Sequence, residues 1–372
     1  MELSYWEYKS WFTAVEFTVV GSGIVGLNCA LRLRERFPKA TILVLEKGVL
    51  PQGASTKNAG FTCFGSVSEI LEDLKHHTPD AVLSLVEKRI KGLALLRETV
   101  DDTQLDYKPW GGYEVFPDKD TAFYQYCLDH IPMVNDLLKP IFNKDIYAIK
   151  QNTFGFNTVK DHLVFNAFEG QIDTGKMMEA LLSLCQEQNI RILNGITVNA
   201  FEDQSDRVHI ETNTFSYNTK HLCIATNGFS KMLGFDKVKP ARAQVLITKP
   251  IKGLKIKGTF HLDKGYYYFR NIDNRILLGG GRNLDFKTEE TTQFGQTQLV
   301  QQHLEQLLHE VIMPHENVEV DYYWSGIMGV GTQKTPMVQQ VSSNIYCGIR
   351  LGGMGVAIGS QIGRDMADLI EK

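Results

Sequence analysis

Three glycines at positions 21, 23 and 26 of VVGSGIVG follow a short apolar run and open a segment with helical spacing. That order suits one chemistry, the binding of a dinucleotide pyrophosphate. Gly21 permits a tight turn, Gly23 lets the backbone come close to phosphate, and Gly26 allows close helix packing. Ser22, Ile24 and Val25 complete the turn and the helix start, whose free amides and positive dipole end meet negative charge. Glu46 ends the next apolar run, twenty residues past Gly26. A carboxylate there accepts hydrogen bonds from both hydroxyls of an adenosine ribose lacking a 2'-phosphate. The motif reads the ADP half shared by FAD and NAD, so it does not choose between them.

These residues need elements to hold them. FTVV reads as a buried strand, NCALRLRERF as a helix and TILVLEK as a second strand, a beta-alpha-beta unit with the short loops of a parallel sheet. Further on, LLRETVDDTQLDYKPWGGYEVF passes from helical spacing into a strand, as if a second domain were inserted. The alpha/beta rhythm returns in QIDTGKMMEALLSLCQEQNIRILNGITV, where Asp173 caps a helix with Met177, Leu181 and Leu184 on its apolar face. HLCIAT then ends at Asn227-Gly228, while KPARAQVLITKP and YYYFRNIDNRILLGGG read as strands, the latter turning at Asp273-Asn274. NIYCGI adds a strand, and the glycine-rich LGGMG leads into a closing helix from Ile358 to Ile370.

The 372 residues exceed the size at which one core keeps growing, so two packed domains are expected. With 43% hydrophobic and 22% charged residues and a mean hydropathy of -0.18, the chain has the balance of a globular protein. A net charge of -4 offers no broad positive field for nucleic acid. Lys252, Lys255 and Lys257 stand between glycines, as in a solvated turn. No run reaches membrane-spanning length, and MELSYWEYKSWF lacks the basic start and apolar stretch of a signal peptide. The six cysteines have neither a C-x-x-C pair nor nearby histidines at metal-ligand spacing. Reduced thiols, a cytoplasmic location and no metal site are expected.

Along nearly its whole length the chain resembles the glycine oxidase, sarcosine oxidase and D-amino-acid oxidase superfamily. The likeness is carried, in order, by VVGSGIVG, the small polar loop GASTKNAG, QIDTGKMMEALL, CIATNGFS, PARAQV and RLGGMGVAIGSQIGRDMADLI. In flavour it is most similar to gamma-glutamylputrescine oxidase relatives. The resemblance implies FAD as cofactor and an α/β architecture. A Rossmann-like FAD-binding domain of the GR2 type would carry an inserted α+β substrate domain built on a mainly antiparallel sheet. It assigns residues 1–80, 155–230 and 325–372 to the FAD domain, and 81–154 and 231–324 to the substrate domain.

Beyond the fingerprint, the resemblance implies cofactor contacts from Glu46, Lys47 and the loop residues Ala54, Ser55, Thr56, Lys57, Asn58, Ala59 and Gly60. It adds Val198, Ala225, Thr226 and Gly228, then the rear turn of Arg350, Gly352, Gly353, Met354, Gly355 and Val356. Physically, glycines ahead of an apolar helix bring backbone amides to a ring edge or ribityl chain. Sarcosine oxidases attach flavin through a cysteine near the matching MGVGTQKTPM, which has none; Val330 stands about there. GASTKNAG also lacks a histidine, so the FAD is expected to be noncovalent. Those oxidases use a lysine to promote reaction with oxygen, and Leu277 falls near its place. Oxygen and another electron acceptor both remain open.

The implied reaction takes a hydride from the C–H next to nitrogen in a small amine or amino acid, giving an imine that hydrolyses. It demands no acid-base dyad. Tyr268 and Arg270 are candidate substrate contacts, since alternation puts Tyr266, Tyr268 and Arg270 on one face of a strand and Tyr267 and Phe269 on the other. Ordinary strand packing with Arg270 exposed is the alternative. Arg350 or Arg282 would suit a substrate carboxylate, and Arg350 equally a structural ion pair. The arginine that serves glycine oxidase aligns around Gly353, so that role does not carry over. Lys57 would support the cofactor, Cys63 reads as buried packing, and Trp110, Tyr113 and Trp324 are pocket walls or core. An FAD-dependent 2-hydroxy-acid or polyol dehydrogenase on this fold and a flavoprotein subunit without turnover are the other readings. A homo-oligomer is open as well.

Overall fold

The computed structural model describes residues 3–371, so positions 1, 2 and 372 of the expected FAD-domain segments lie outside the described residues. Its first sheet runs in the order Met337–Ser342, Ile345–Ile349, Ser216–Ile224, Val15–Val20, Ile42–Glu46, Arg191–Asn194. The central strands pair in parallel. Val198–Asp203 and Val208–Thr212 extend the sheet as an antiparallel meander into Ser216–Ile224. Parallel strands covered on both faces must be apolar throughout. Ile42–Glu46 is accordingly buried at every position.

Helices Ile24–Arg36, Thr174–Glu187 and Gly355–Asp368 share one core with this sheet. The first and last cross closely enough that a Cβ on Gly363 would lie 2.4 Å from the Val25 carbonyl oxygen. Asp173 caps its helix as expected, accepting from the Lys176 amide at 3.0 Å.

The second sheet is ordered Val320–Val330, Lys239–Thr248, Arg275–Gly280, Tyr267–Ile272, Thr259–Leu262, Gly112–Val115, His162–Asn166, Tyr147–Gln151. Every pairing in it is antiparallel except Thr259–Leu262 with Gly112–Val115. The expected turn at Asp273-Asn274 forms with φ of 49° and 58°, the left-handed pair of a two-residue hairpin whose twist suits the strands. The expected domain limits at 155 and 324 cut across this sheet, since His162–Asn166 and Val320–Val330 both belong to it.

Strand alternation gives the second sheet two unlike faces. Phe260, Leu262, Tyr267, Phe269, Ile276 and Leu278 enter an apolar core beneath the helix Gln298–Gln306. The residues between them face the first domain, and there the cavity lies.

Candidate functional site

A cavity of about 580 Å³ runs from the fingerprint to the second sheet, lined on one side by Gly21, Gly23, Ile24 and Val25 and on the other by Arg350 and Gly352 to Val356. The front and rear glycine turns therefore share one space. Gly21 has φ of 105°, open to glycine alone at low cost, and a Cβ on it would sit 2.8 Å from the Ala225 carbonyl oxygen. At Gly352 and Gly353 a Cβ would meet nothing within 4 Å. Packing within the chain does not require glycine at Gly353; a ligand laid against the backbone would.

Glu46 is buried and lines the same cavity. Its Oε2 accepts from the Ser22 amide at 3.1 Å and the Ser22 hydroxyl at 2.8 Å, and its Oε1 accepts from the Gly48 amide at 3.0 Å. The carboxylate thereby ties together the ends of two neighbouring strands at the edge of the cavity.

The side chains of the polar loop bond its own backbone. Asn58 donates to the Ala54 and Ser55 carbonyls and accepts from the Gly60 amide and the Thr174 hydroxyl. Ser55 accepts from the Ile24 amide at 2.9 Å. Ala54, Ser55, Lys57, Asn58, Ala59 and Gly60 all line the cavity, as do Lys47, Val198, Ala225 and Thr226.

Five expected site residues do not line it. Ser22 bonds Glu46, Gly26 packs under the Gly21 carbonyl, Thr56 donates to the Pro51 carbonyl at 2.7 Å, and Gly228 lies against Met328. Arg270 is the fifth. It points to the cavity side of its strand but stays behind Gly60, 2% exposed, with Nε lacking any hydrogen-bond partner among the described residues. Burial lowers its pKa to about 10.

Arg350 takes φ of 64°, and Asn227 Oδ1 holds the strained turn by accepting from the Arg350 and Leu351 amides at 3.1 and 3.2 Å. Its guanidinium donates to the Thr335 carbonyl oxygen at 2.7 Å. Arg282 lines the cavity and lies against the Tyr266 and Phe286 rings. Cys63 also lines it, and burial pushes its thiol well up. Trp110, Tyr113 and Trp324 stand off the wall; Trp324 donates to the Lys57 carbonyl at 3.0 Å, and Tyr113 stacks on Phe260.

The far wall is a row across four adjacent strands. Glu114 pairs in register with His261, His261 with Tyr268, and Tyr268 with Gly279. Tyr268 and His261 line the cavity with Phe61, which meets both rings edge-on. His261 Nε2 lies 2.9 Å from Glu169 Oε2, and both side chains are almost fully buried. Thr259 donates to the same Glu169 oxygen at 2.9 Å and Asn166 to the other at 3.3 Å.

Burial acts to lower the His261 pKa, but Glu169, with Glu69 and Glu114 beyond it, raises it to about 9. Burial raises Glu114 to about 7 against the opposing bonds from Ser68. Burial also holds the Tyr268 phenol at about 12. Sequence reasoning did not single out His261, Glu114 or Glu169. A signal existed for the first, since Thr259 and His261 alternate with Phe260 and Leu262. Glu169 sits in a connection and carries no such pattern.

The cavity suits a long, flat dinucleotide: a pyrophosphate turn at one end, bare glycine backbone at the other and an aromatic wall beyond. Lys57, the loop Ala54–Gly60 and the rear turn would hold its flavin half.

A family model described as FAD dependent oxidoreductase matches residues 16–369. Probable oxidoreductase OrdL of Haemophilus influenzae is 22% identical over 95% of this chain and 82% of its own length. Among solved structures, L-proline dehydrogenase from P. horikoshii is similar with a TM-score of 0.74 at 17% identity, covering 95% of this chain and 92% of that one. Glycine oxidase from Bacillus cereus gives a TM-score of 0.74 at 16% identity, over 95% and 94%. Iminodiacetate oxidase from Chelativorans sp. gives 0.72 at 16% identity, over the same shares.

Proposed function

Because the chain belongs to the family of FAD dependent oxidoreductases, we propose that it holds FAD noncovalently in this cavity and oxidises the carbon next to nitrogen in a small amine or amino acid. The observation that carries the reading is the convergence of Gly21, Gly23, Ile24 and Val25 with Arg350–Val356 on one cavity whose far wall is Tyr268 and His261. Bound FAD supplies the electron sink for a hydride. The chain does the rest: Phe61, Tyr266 and Tyr268 confine the substrate, and the polar loop closes the floor. The product is an imine, which water hydrolyses.

Noncovalent binding is supported by the side chains near the site. Val330 lines the cavity where a linking cysteine would stand, and the lining thiol, Cys63, is held protonated by burial and is a poor nucleophile. Printed names of the similar structures, a proline dehydrogenase, a glycine oxidase and an iminodiacetate oxidase, favour nitrogen-bearing substrates over hydroxy acids. The sequence likeness to gamma-glutamylputrescine oxidases adds diamine derivatives to the substrates worth screening.

The test is anaerobic reduction of the purified protein, screened against amines, glycine derivatives, D- and L-amino acids and 2-hydroxy acids. A yellow protein that releases FAD on acid precipitation and bleaches with an amine or amino acid supports the reading. A colourless protein, FAD retained on the precipitate, or bleaching by hydroxy acids alone would overturn it.

A further inference from the structure

The sheet wall carries two hydrogen-bond donors side by side that the chain itself leaves unused. His261 and Tyr268 are cross-strand partners and both line the cavity. The Nε2 of His261 is taken by Glu169, which leaves its Nδ1 and the neighbouring Tyr268 hydroxyl for whatever occupies the cavity that both residues line. Glu169 is held in place from three sides by Thr259, Asn166 and the His261 ring, and a Cβ on Gly112 would fall 1.9 Å from its Oε2. That glycine leaves room for the carboxylate beneath the histidine.

We propose that His261, oriented by Glu169, and Tyr268 together form a subsite for the carboxylate of the substrate. The inference rests on the amine or amino-acid reading above and narrows it to substrates with an acidic end. A carboxylate has two oxygens, and the pair offers one charged and one neutral donor on adjacent strands, about 5 Å apart at their Cβ atoms. Four neighbouring cations are already engaged, Arg350 on the Thr335 carbonyl, Arg89 on the Phe64 carbonyl, Lys264 on Glu72 and Lys334 on Asp73, while Arg282 lies against the Tyr266 and Phe286 rings.

The charge state follows from every element packed around the ring. Glu169 lies beneath it, Glu114 beside it on the next strand, Glu69 on the helix Val67–Leu74, and Tyr268 on the other neighbouring strand. Lys264, Arg89 and Cys63 share the cavity wall. Glu69 is bonded to the Ser66 amide and hydroxyl, and Glu72 to Lys75 and Lys264. With a pKa of about 9, His261 is cationic across the neutral range.

Calorimetric titration of the holoenzyme with butyrate and with butyramide tests this without requiring turnover. Butyrate should bind throughout the neutral range, weakening modestly as Glu114 ionises near pH 7, and then by about tenfold per unit above about pH 9 as the imidazolium is lost. Butyramide should bind more weakly and show no such dependence. His261→Gln should weaken butyrate by at least about tenfold at neutral pH and flatten its profile. Glu169→Gln should move the midpoint down by about two units, a shift that a merely structural role would not produce. Glu114→Gln, which removes a more distant carboxylate, should move the midpoint down by less than Glu169→Gln does. If H261Q does not fold, the wild-type profile and E169Q still decide. Butyrate that does not bind or binds no better than butyramide, an affinity untouched by H261Q, or a midpoint that E169Q leaves in place would overturn the subsite. An enzyme bleached by no amine would instead overturn the functional reading, and the butyrate titration distinguishes the two failures.

Discussion

The hydroxyl of Ser55 lies 2.9 Å from the backbone nitrogen of Ile24, thirty-one residues earlier, and fastens the polar loop to the first amide of the fingerprint helix. A Cβ on Gly23 would come within 2.8 Å of that oxygen, so the glycine makes room for the contact. The two parts of the chain that would touch opposite ends of FAD are thus joined before any cofactor arrives.

Ser55→Ala removes this acceptor and frees the loop. A hydrogen bond of this kind contributes about 1 kcal/mol, so FAD affinity should fall by roughly fivefold. Fluorescence titration of the apoprotein reads the change. Unaltered affinity would mean that the contact does not help retain the cofactor.

Two glycines should behave oppositely. At Gly26 a Cβ would lie 1.9 Å from the Gly21 carbonyl oxygen, with backbone on both sides of the clash. Gly26→Ala should cost about 3 kcal/mol or more and lower the melting temperature by several degrees. At Gly353 nothing lies within 4 Å and φ is not in the left-handed region. Gly353→Ala should leave the apoprotein melting as before while weakening FAD. Similar melting losses in both would contradict the assignment of Gly353 to a ligand.

The strand Lys239–Thr248 carries Arg242, whose guanidinium makes a two-pronged pair with Glu289 at 2.7 and 3.0 Å, both nearly buried. Gln244 adds a third bond to the carboxylate at 2.8 Å. Arg242→Met leaves that charge stranded and should cost about 3–5 kcal/mol in chemical denaturation, whereas Arg242→Met with Glu289→Met should recover much of it. A double variant as unstable as the single would show that the pair itself, not the unpaired charge, sets the cost.

Stability should decline as pH rises from mildly acid to alkaline. Glu114 moves from an ordinary 4.5 to about 7 on folding, and His261 from 6.5 to about 9. Both folded values lie above the unfolded ones, so the folded chain binds these protons more tightly. Each contribution is full below the unfolded pKa and lost as pH passes the folded one. Their sum is on the order of a few kcal/mol. Glu114→Gln should erase the decline between about pH 4.5 and 7, and His261→Gln the decline between about pH 6.5 and 9. Denaturant midpoints across pH measure both, and a flat wild-type profile would refute the shifts.

Much of the glycine-lined side of the cavity was legible because its signals are local. Gly21, Gly23 and Gly26 sit within one turn, the loop Ala54–Gly60 is contiguous, and the rear turn precedes its own helix. What those positions mean depends on neighbours a few residues away, and spacing records that. The hairpin at Asp273-Asn274 and the cap at Asp173 are equally local, and both form as read. The domain limits were harder: the strand His162–Asn166 joins the second sheet through pairings with Gly112–Val115 and Tyr147–Gln151 that no short window contains.

From sequence alone came the glycine turn between strand and helix, the parallel unit behind it, the antiparallel sheet and the alternation that turns Tyr268 away from Phe269. Tertiary structure decided which polar groups meet. Glu169 and His261 are ninety-two residues apart and touch because a parallel pairing in an otherwise antiparallel sheet lays Gly112 beside Thr259. Arg270 shares a strand face with Tyr268 yet stops short of the cavity, because Gly60 lets the polar loop close over it. Periodicity specifies the direction of a side chain; what stands in front of it is set by segments that only folding brings there.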